Sequence, residues 1–178
     1  LRDPLNPIPP TFIGRTALAV ADLLHLRAQR GAIPAKDANP AIAAALNIAK
    51  ENLEKAVSLK SDYATAQFLL AQTFSRLGNT DEAIRRGANA AIVAPQDVGV
   101  AFFLGFLFYQ KDQLADAETQ FSRAVELNPN YSNARYFLGL IYDRTGRKGE
   151  ALKQFRRIAE LNPENQEISK IIVSLEKG

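Results

Sequence analysis

Cysteine, methionine and tryptophan are missing altogether, and histidine occurs once. Without a thiol there is no disulfide, no thiolate nucleophile and no cysteine-ligated zinc. The one histidine, His25, has no titratable partner within sequence reach, so it reads as an ordinary surface or core residue rather than a base or ligand. Glycine-rich phosphate loops, metal-ligand spacings and nucleophile motifs are lacking too, and carboxylates such as Asp116, Glu118 and Glu126 are those expected on a solvated helix. The chain is therefore expected to be non-enzymatic, with no catalytic, cofactor-binding or metal-binding residue. An excess of one charge is also lacking. The net charge is +3, too small to mark a nucleic-acid binder. Residues 98–131 carry two basic and four acidic groups, and 132–165 carry seven basic and four acidic. That mildly basic third reads as a solvated face in preference to a phosphate-binding patch. The longest apolar run, Val98–Tyr109, is about half the ~20 residues a bilayer requires, so direct membrane insertion of this segment is not expected.

A chain without methionine that starts at Leu1 reads as a mature or partial product. That sets an exported, extracellular or membrane-tethered prokaryotic protein as the expectation for its location, one form of which is the soluble tail of a larger bacterial membrane protein. Asn130-Tyr131-Ser132 fits the glycosylation acceptor pattern, which matters only in an exported protein of a cell with that machinery.

What is present is helical punctuation. Leu1–Pro10 has four prolines in ten residues, which predicts an extended, polyproline-like arm. Thr11–Arg30 places Leu18, Ala21 and Leu24, or Leu18, Val20 and Leu24, on one side at helical spacing, and Gly31 closes it. A loop over 31–40 follows, with Asn39 as cap and Pro40 as the first residue of a helix reaching about Lys60. Ala45, Ala49, Leu53, Ala56 and Val57 form its apolar stripe.

From there the chain is periodic. Pro95, Pro129 and Pro163 are 34 residues apart. The same interval separates Leu70-Ala71, Leu104-Gly105 and Leu138-Gly139; Phe74, Phe108 and Tyr142; Ala83, Ala117 and Ala151; and Ala90, Ala124 and Ile158. Leu127-Asn128-Pro129 recurs as Leu161-Asn162-Pro163. A repeat of this length made of two antiparallel helices resembles the tetratricopeptide repeat, in units 64–97, 98–131 and 132–165. The resemblance implies an all-α fold, a right-handed α-solenoid of stacked helix pairs. Residues 11–63 are expected to form a degenerate N-terminal pair with an overlong loop, and 163–178 a capping helix with Ile168, Ile171, Ile172 and Leu175 on one side. Gly87 stands where Phe121 and Phe155 stand in the later units, from drift or from close approach of another group. Val98–Tyr109 is expected to be the helix hidden in the middle layer.

In the resembled fold the first helices of successive units line a concave, partner-binding surface. By equivalence the lining here comprises Phe68, Gln72 and Ser75, then Phe102, Phe106 and Tyr109, then Asn133, Tyr136, Leu140 and Asp143. Family members that clamp chaperone carboxylate tails use lysine, arginine and asparagine at such positions. An aromatic lining implies instead an apolar or amphipathic segment, and an open aromatic groove exceeds what a soluble monomer normally exposes. Its expected occupant is the chain's own N-terminal helix, a segment of another protein, or a second copy, with Leu1–Pro10 as the clasp of a self-assembling protein.

Overall fold

The computed structural model describes residues 5–177, and among them it contains nine α-helices and no strand. The chain divides into two compact units, one ending at Pro95 and one beginning at Gln96. The first holds α1 (Ile8–Gln29), α2 (Ala35–Leu59), α3 (Ala64–Arg76) and α4 (Thr80–Val93). The second holds α5 (Val98–Gln110), α6 (Leu114–Leu127), α7 (Ser132–Arg144), α8 (Lys148–Leu161) and α9 (Gln166–Lys177).

Two expectations about the N-terminal region are overturned, both by proline. Pro9 and Pro10 do not extend an arm; they lie in the first turn of α1, where a missing N–H costs nothing because it has no helical acceptor. Asn6 Oδ1 accepts from the Ile8 amide at 2.9 Å, and the Thr11 hydroxyl donates to the Pro7 carbonyl at 2.7 Å. The rest of that expected arm, 1–4, lies outside the described residues. Likewise α2 does not start at Pro40. It starts at Ala35 behind Pro34, with Pro40 inside the helix, so the loop is 30–34 and Asn39 caps nothing. Pro40 removes one helical hydrogen bond near the helix end, and packing of the preceding turn offsets the loss, since Ala38 is buried. Gly31 closes α1 in the left-handed region, at φ +70°. Along α1 the buried residues are Pro10, Thr11, Gly14, Leu18 and Ala21, whereas Val20 is exposed. At Gly14 the hairpin is tight: a Cβ there would lie 2.5 Å from Leu53 Cγ.

The hairpins α3–α4, α5–α6 and α7–α8 share one construction. Their turns each carry a residue at positive φ, Gly78, Asp112 and Gly146. Asp112 takes a conformation that asparagine and aspartate tolerate better than other side chains, and its carboxylate receives Arg144 at 2.6 Å. Ala83, Ala117 and Ala151 are fully buried, small because the first helix of the same hairpin crosses there.

Each repeat also matches a residue on its first helix with one on its second. A methyl group added at Gly105 would sit 2.8 Å from the Phe121 ring, and one at Gly139 would sit 2.5 Å from Phe155. Both rings are buried. In the α3–α4 hairpin the corresponding residues are Ala71 and Gly87, both buried. A ring at 87 would meet the methyl that the two glycines lack, which accounts for the size of Gly87.

The second unit ends on α9, whose Ile168 is buried against Phe155 and Ile158, with Ile171, Ile172 and Leu175 half-buried beside it. Its other side carries Glu167, Lys170, Ser174 and Lys177, all exposed.

Replacing Gly105 by alanine is expected to destabilise the protein by about 1–3 kcal/mol through overpacking against Phe121. The penalty should shrink in a Phe121→Leu background. Chemical denaturation of the four proteins checks this, and equal penalties in both backgrounds would contradict the ring-over-glycine account.

Candidate protein-interaction surface

Phe102, Phe106 and Tyr109 recur at four- and three-residue spacing along α5 and so share one side of it. Asp97 starts the helix by accepting from the amides of Gly99 and Val100 at 2.8 and 3.1 Å. The α5 helix is not hidden all round. Val100, Ala101, Leu104, Gly105 and Leu107 are buried, and the aromatic row is half-buried. What covers the row in part is Phe137 of α7. Its ring centroid lies 5.9 Å from Phe102, 5.7 Å from Phe106 and 5.2 Å from Tyr109, and it stacks on Phe121 at 5.0 Å. Phe102 also meets Phe121 at 5.6 Å and Tyr131 at 5.2 Å. Sequence reasoning missed Phe137, although its repeat counterpart Phe103 signals a bulky residue at that position.

On α7, Tyr136 packs edge-on to Phe137 and Phe155, at 5.9 and 6.0 Å. Leu140 is half-buried, and Asn133 and Asp143 are exposed. The structure thus joins the α5 row to the α7 row through one ring, leaving a half-covered aromatic ledge flanked by two exposed polar residues.

The remaining expected residues, Phe68, Gln72 and Ser75, lie on α3 in the first unit, all half-buried. Beside them is an ion pair between residues 54 apart in the chain: Arg76 donates to both carboxylate oxygens of Asp22, at 2.5 and 2.9 Å. The pair ties α3 to α1 and edges a cavity of about 280 Å³ lined also by Ala21, His25, Ile42 and Leu46. His25 Nε2 accepts from Gln29 at 2.9 Å. Among the described residues no cluster of three His, Asp or Glu could hold a metal ion, and no helix is long and apolar enough to cross a membrane.

Comparison with known proteins adds the family. The tetratricopeptide repeat model matches residues 104–165, which takes in the later part of α5 and all of α6, α7 and α8, and so every ledge residue of the second unit except Phe102. Residues 104–165 belong to the tetratricopeptide repeat family. Solved structures agree on the fold. One is a crystal structure of MamA (21% identity, 76% of this chain and 79% of that one, TM-score 0.71). Another is YrrB, described as a tetratricopeptide repeat protein with an unusual peptide-binding site (24%, 85% and 70%, 0.64). A third is the first tetratricopeptide repeat domain of Spaghetti, RPAP3, bound to an HSP90 peptide (23%, 66% and 94%, 0.60). At these identities the likeness is one of fold. No curated protein matches the chain. Tetratricopeptide repeats are in general interaction modules rather than catalysts.

In the second unit, consecutive repeats are also linked by charge. Arg147 donates to Glu118 at 2.9 and 2.5 Å and lies 4.5 Å above the Tyr142 ring. Burial, and after it the Glu118 carboxylate, pushes the Tyr142 hydroxyl above the usual phenol range. The basic third of the chain gathers Arg135, Lys153, Arg156 and Arg157 around a cavity of about 380 Å³. Most of these cations are partnered locally. Arg157 donates to Glu160 and Asn130, Arg156 to Glu176, and Arg135 to the Pro129 carbonyl and Gln154. Burial and the neighbouring Arg157 lower the Arg135 pKa.

Truncating Phe137 to alanine is expected to cost about 3 kcal/mol in unfolding free energy, more than the same change at Phe106, which touches one ring rather than five. Comparable losses at the two sites would deny Phe137 its central place. Because the Tyr142 pKa is raised on folding, its contribution to stability is complete below ~10 and falls away as pH rises through the folded value. Thermal unfolding followed into the alkaline range should show a decline that is smaller in Tyr142→Phe.

Proposed function

We propose that this chain is a non-enzymatic docking module whose tetratricopeptide repeats receive an apolar or amphipathic segment of a partner protein along the α5 and α7 face. The observation that carries the reading is the half-exposed aromatic row Phe102, Phe106 and Tyr109 continuing into Tyr136 and Leu140, with Asn133 and Asp143 at its margin. Aromatic residues with one covered and one open side offer large contact area at little entropic cost, which is what anchors of protein interfaces supply. Phe68, Gln72 and Ser75 occupy the equivalent repeat positions in the first unit. No lysine or arginine stands at any of the ten positions, and Asn133 is the one residue there of a type that carboxylate-clamping members use. That separates this face from the basic positions that clamp chaperone carboxylates, even though a repeat domain of similar fold holds an HSP90 peptide.

The test uses an array of peptides graded from acidic to amphipathic. Amphipathic, apolar members should bind, and Phe106→Ala combined with Leu140→Ala should weaken them roughly 30-fold, about 2 kcal/mol, with helicity by circular dichroism unchanged. Phe102 is left intact because its ring belongs to the core around Phe121. Selection of peptides by an acidic C-terminus, or binding indifferent to the double substitution, refutes the assignment.

A further inference from the structure

Helix α1 is apolar on the wrong side. Its core-facing residues pack on α2, yet Ile8, Phe12, Ile13, Val20 and Leu23 on α1, with Ile48 on α2, are 44% to 61% exposed. Phe12, Ile13, Val20 and Ile48 border one shallow groove between the two helices, closed below by Ala17 and Ala45. Taking roughly 150–200 Å² for each large side chain when fully exposed, these six present on the order of 500 Å² of apolar surface. That is near the upper limit for a patch on a soluble monomer and most of the ~800 Å² that each partner contributes to a standard interface. On α9, by contrast, Ile168, Ile171, Ile172 and Leu175 turn inward and Val173 is the one large apolar residue left exposed.

We propose that this face joins two copies of the chain about a two-fold axis, α1 against α1. Three observations select a second copy. Phe12 and Leu23 of this patch, with Thr16, Ala19 and Leu26, are all exposed and alternate by four and three residues, which is the spacing of a helix–helix seam, and Ile13 and Val20 flank that seam on the groove side. The seam is self-complementary when run antiparallel about Ala19. The two Ala19 residues then face each other and permit close approach, Thr16 meets the larger Leu23 of the second copy, and Phe12 meets Leu26. The same register brings Arg15 of one copy level with Asp22 of the other, on the same flank. Asp22 keeps 49% of its side-chain surface exposed while holding Arg76, and Arg15 is exposed beside the Phe12 ring. Such a contact uses the same patch on both copies, so it closes at two. The contact is made by the helix face, and it does not depend on what the α5–α7 ledge binds.

The experiment is solution mass of the full chain at tens of micromolar by light scattering or sedimentation. The unaltered protein should show twice the 19.5 kDa of one chain, and Leu23→Glu should show one chain's mass with unchanged helicity. The absence of cysteine allows a second readout that does not depend on disrupting the contact. Under mild oxidation Ala19→Cys should cross-link to a covalent dimer much faster than Ser174→Cys on the outer side of α9. A single-chain mass for the unaltered protein, an assembly larger than two, a dimer indifferent to Leu23→Glu, or equal cross-linking at the two cysteine positions overturns the proposal.

Discussion

The contact on which the second unit depends is a phenyl ring pressed against a helix that offers no side chain. Phe121 over Gly105 and Phe155 over Gly139 let the two helices of a hairpin approach until backbone rather than side chain sets their separation. Once that distance is fixed, only alanine fits at the crossings marked by Ala117 and Ala151, and the rings become floor for the next helix. Phe137 stacks on Phe121 for this reason. A chain of contacts thus runs from a glycine, through a ring in the core, to the half-exposed aromatics that face outward. The surface proposed to bind partners and the core that supports it are one aromatic assembly, and its rigidity comes from interior packing at near-crystalline density rather than from hydrogen bonds.

Much of this was legible in the sequence because a repeat states each packing rule several times. A 34-residue interval that returns Leu-Gly, alanine and proline at fixed offsets leaves little freedom in helix number or type, and the all-α repeat fold follows from it. Proline carried two meanings that local reasoning could not separate. A cluster of prolines favours an extended arm in isolation, but next to a helix that must pack it serves equally as a first turn, and α1 takes it so from Ile8 onward. The burial of Ala38, which draws α2 back past Pro40, is a tertiary effect with no sign in the residues around Asn39. The Asp22–Arg76 pair was out of reach because its members are distant along the chain and each looks like an ordinary solvated charge.

The candidate surface was half legible. The equivalence of positions identified Phe102, Phe106 and Tyr109 as a row on one helix face, yet it could not tell how much of the row the protein covers for itself. Phe137 decides that, and it occupies a position at which the repeat pattern asks only for bulk. Large apolar surface in water is covered by whatever lies nearest, so an aromatic row on one repeat invites a ring from the next. The residues that remain open are those beyond its reach.

The reciprocity between Gly105 and Phe121, Gly139 and Phe155, and Ala71 and Gly87 also bears on how such a chain can change by recombination. A duplication or exchange that moves a whole hairpin carries both halves of the match and leaves the helix separation intact. A crossover in the turn at 78, 112 or 146 would place a ring helix behind Ala71, or leave Gly105 facing Gly87 with an unfilled gap. The hairpin, rather than the helix, is therefore the smallest piece of this protein that inheritance can shuffle without penalty.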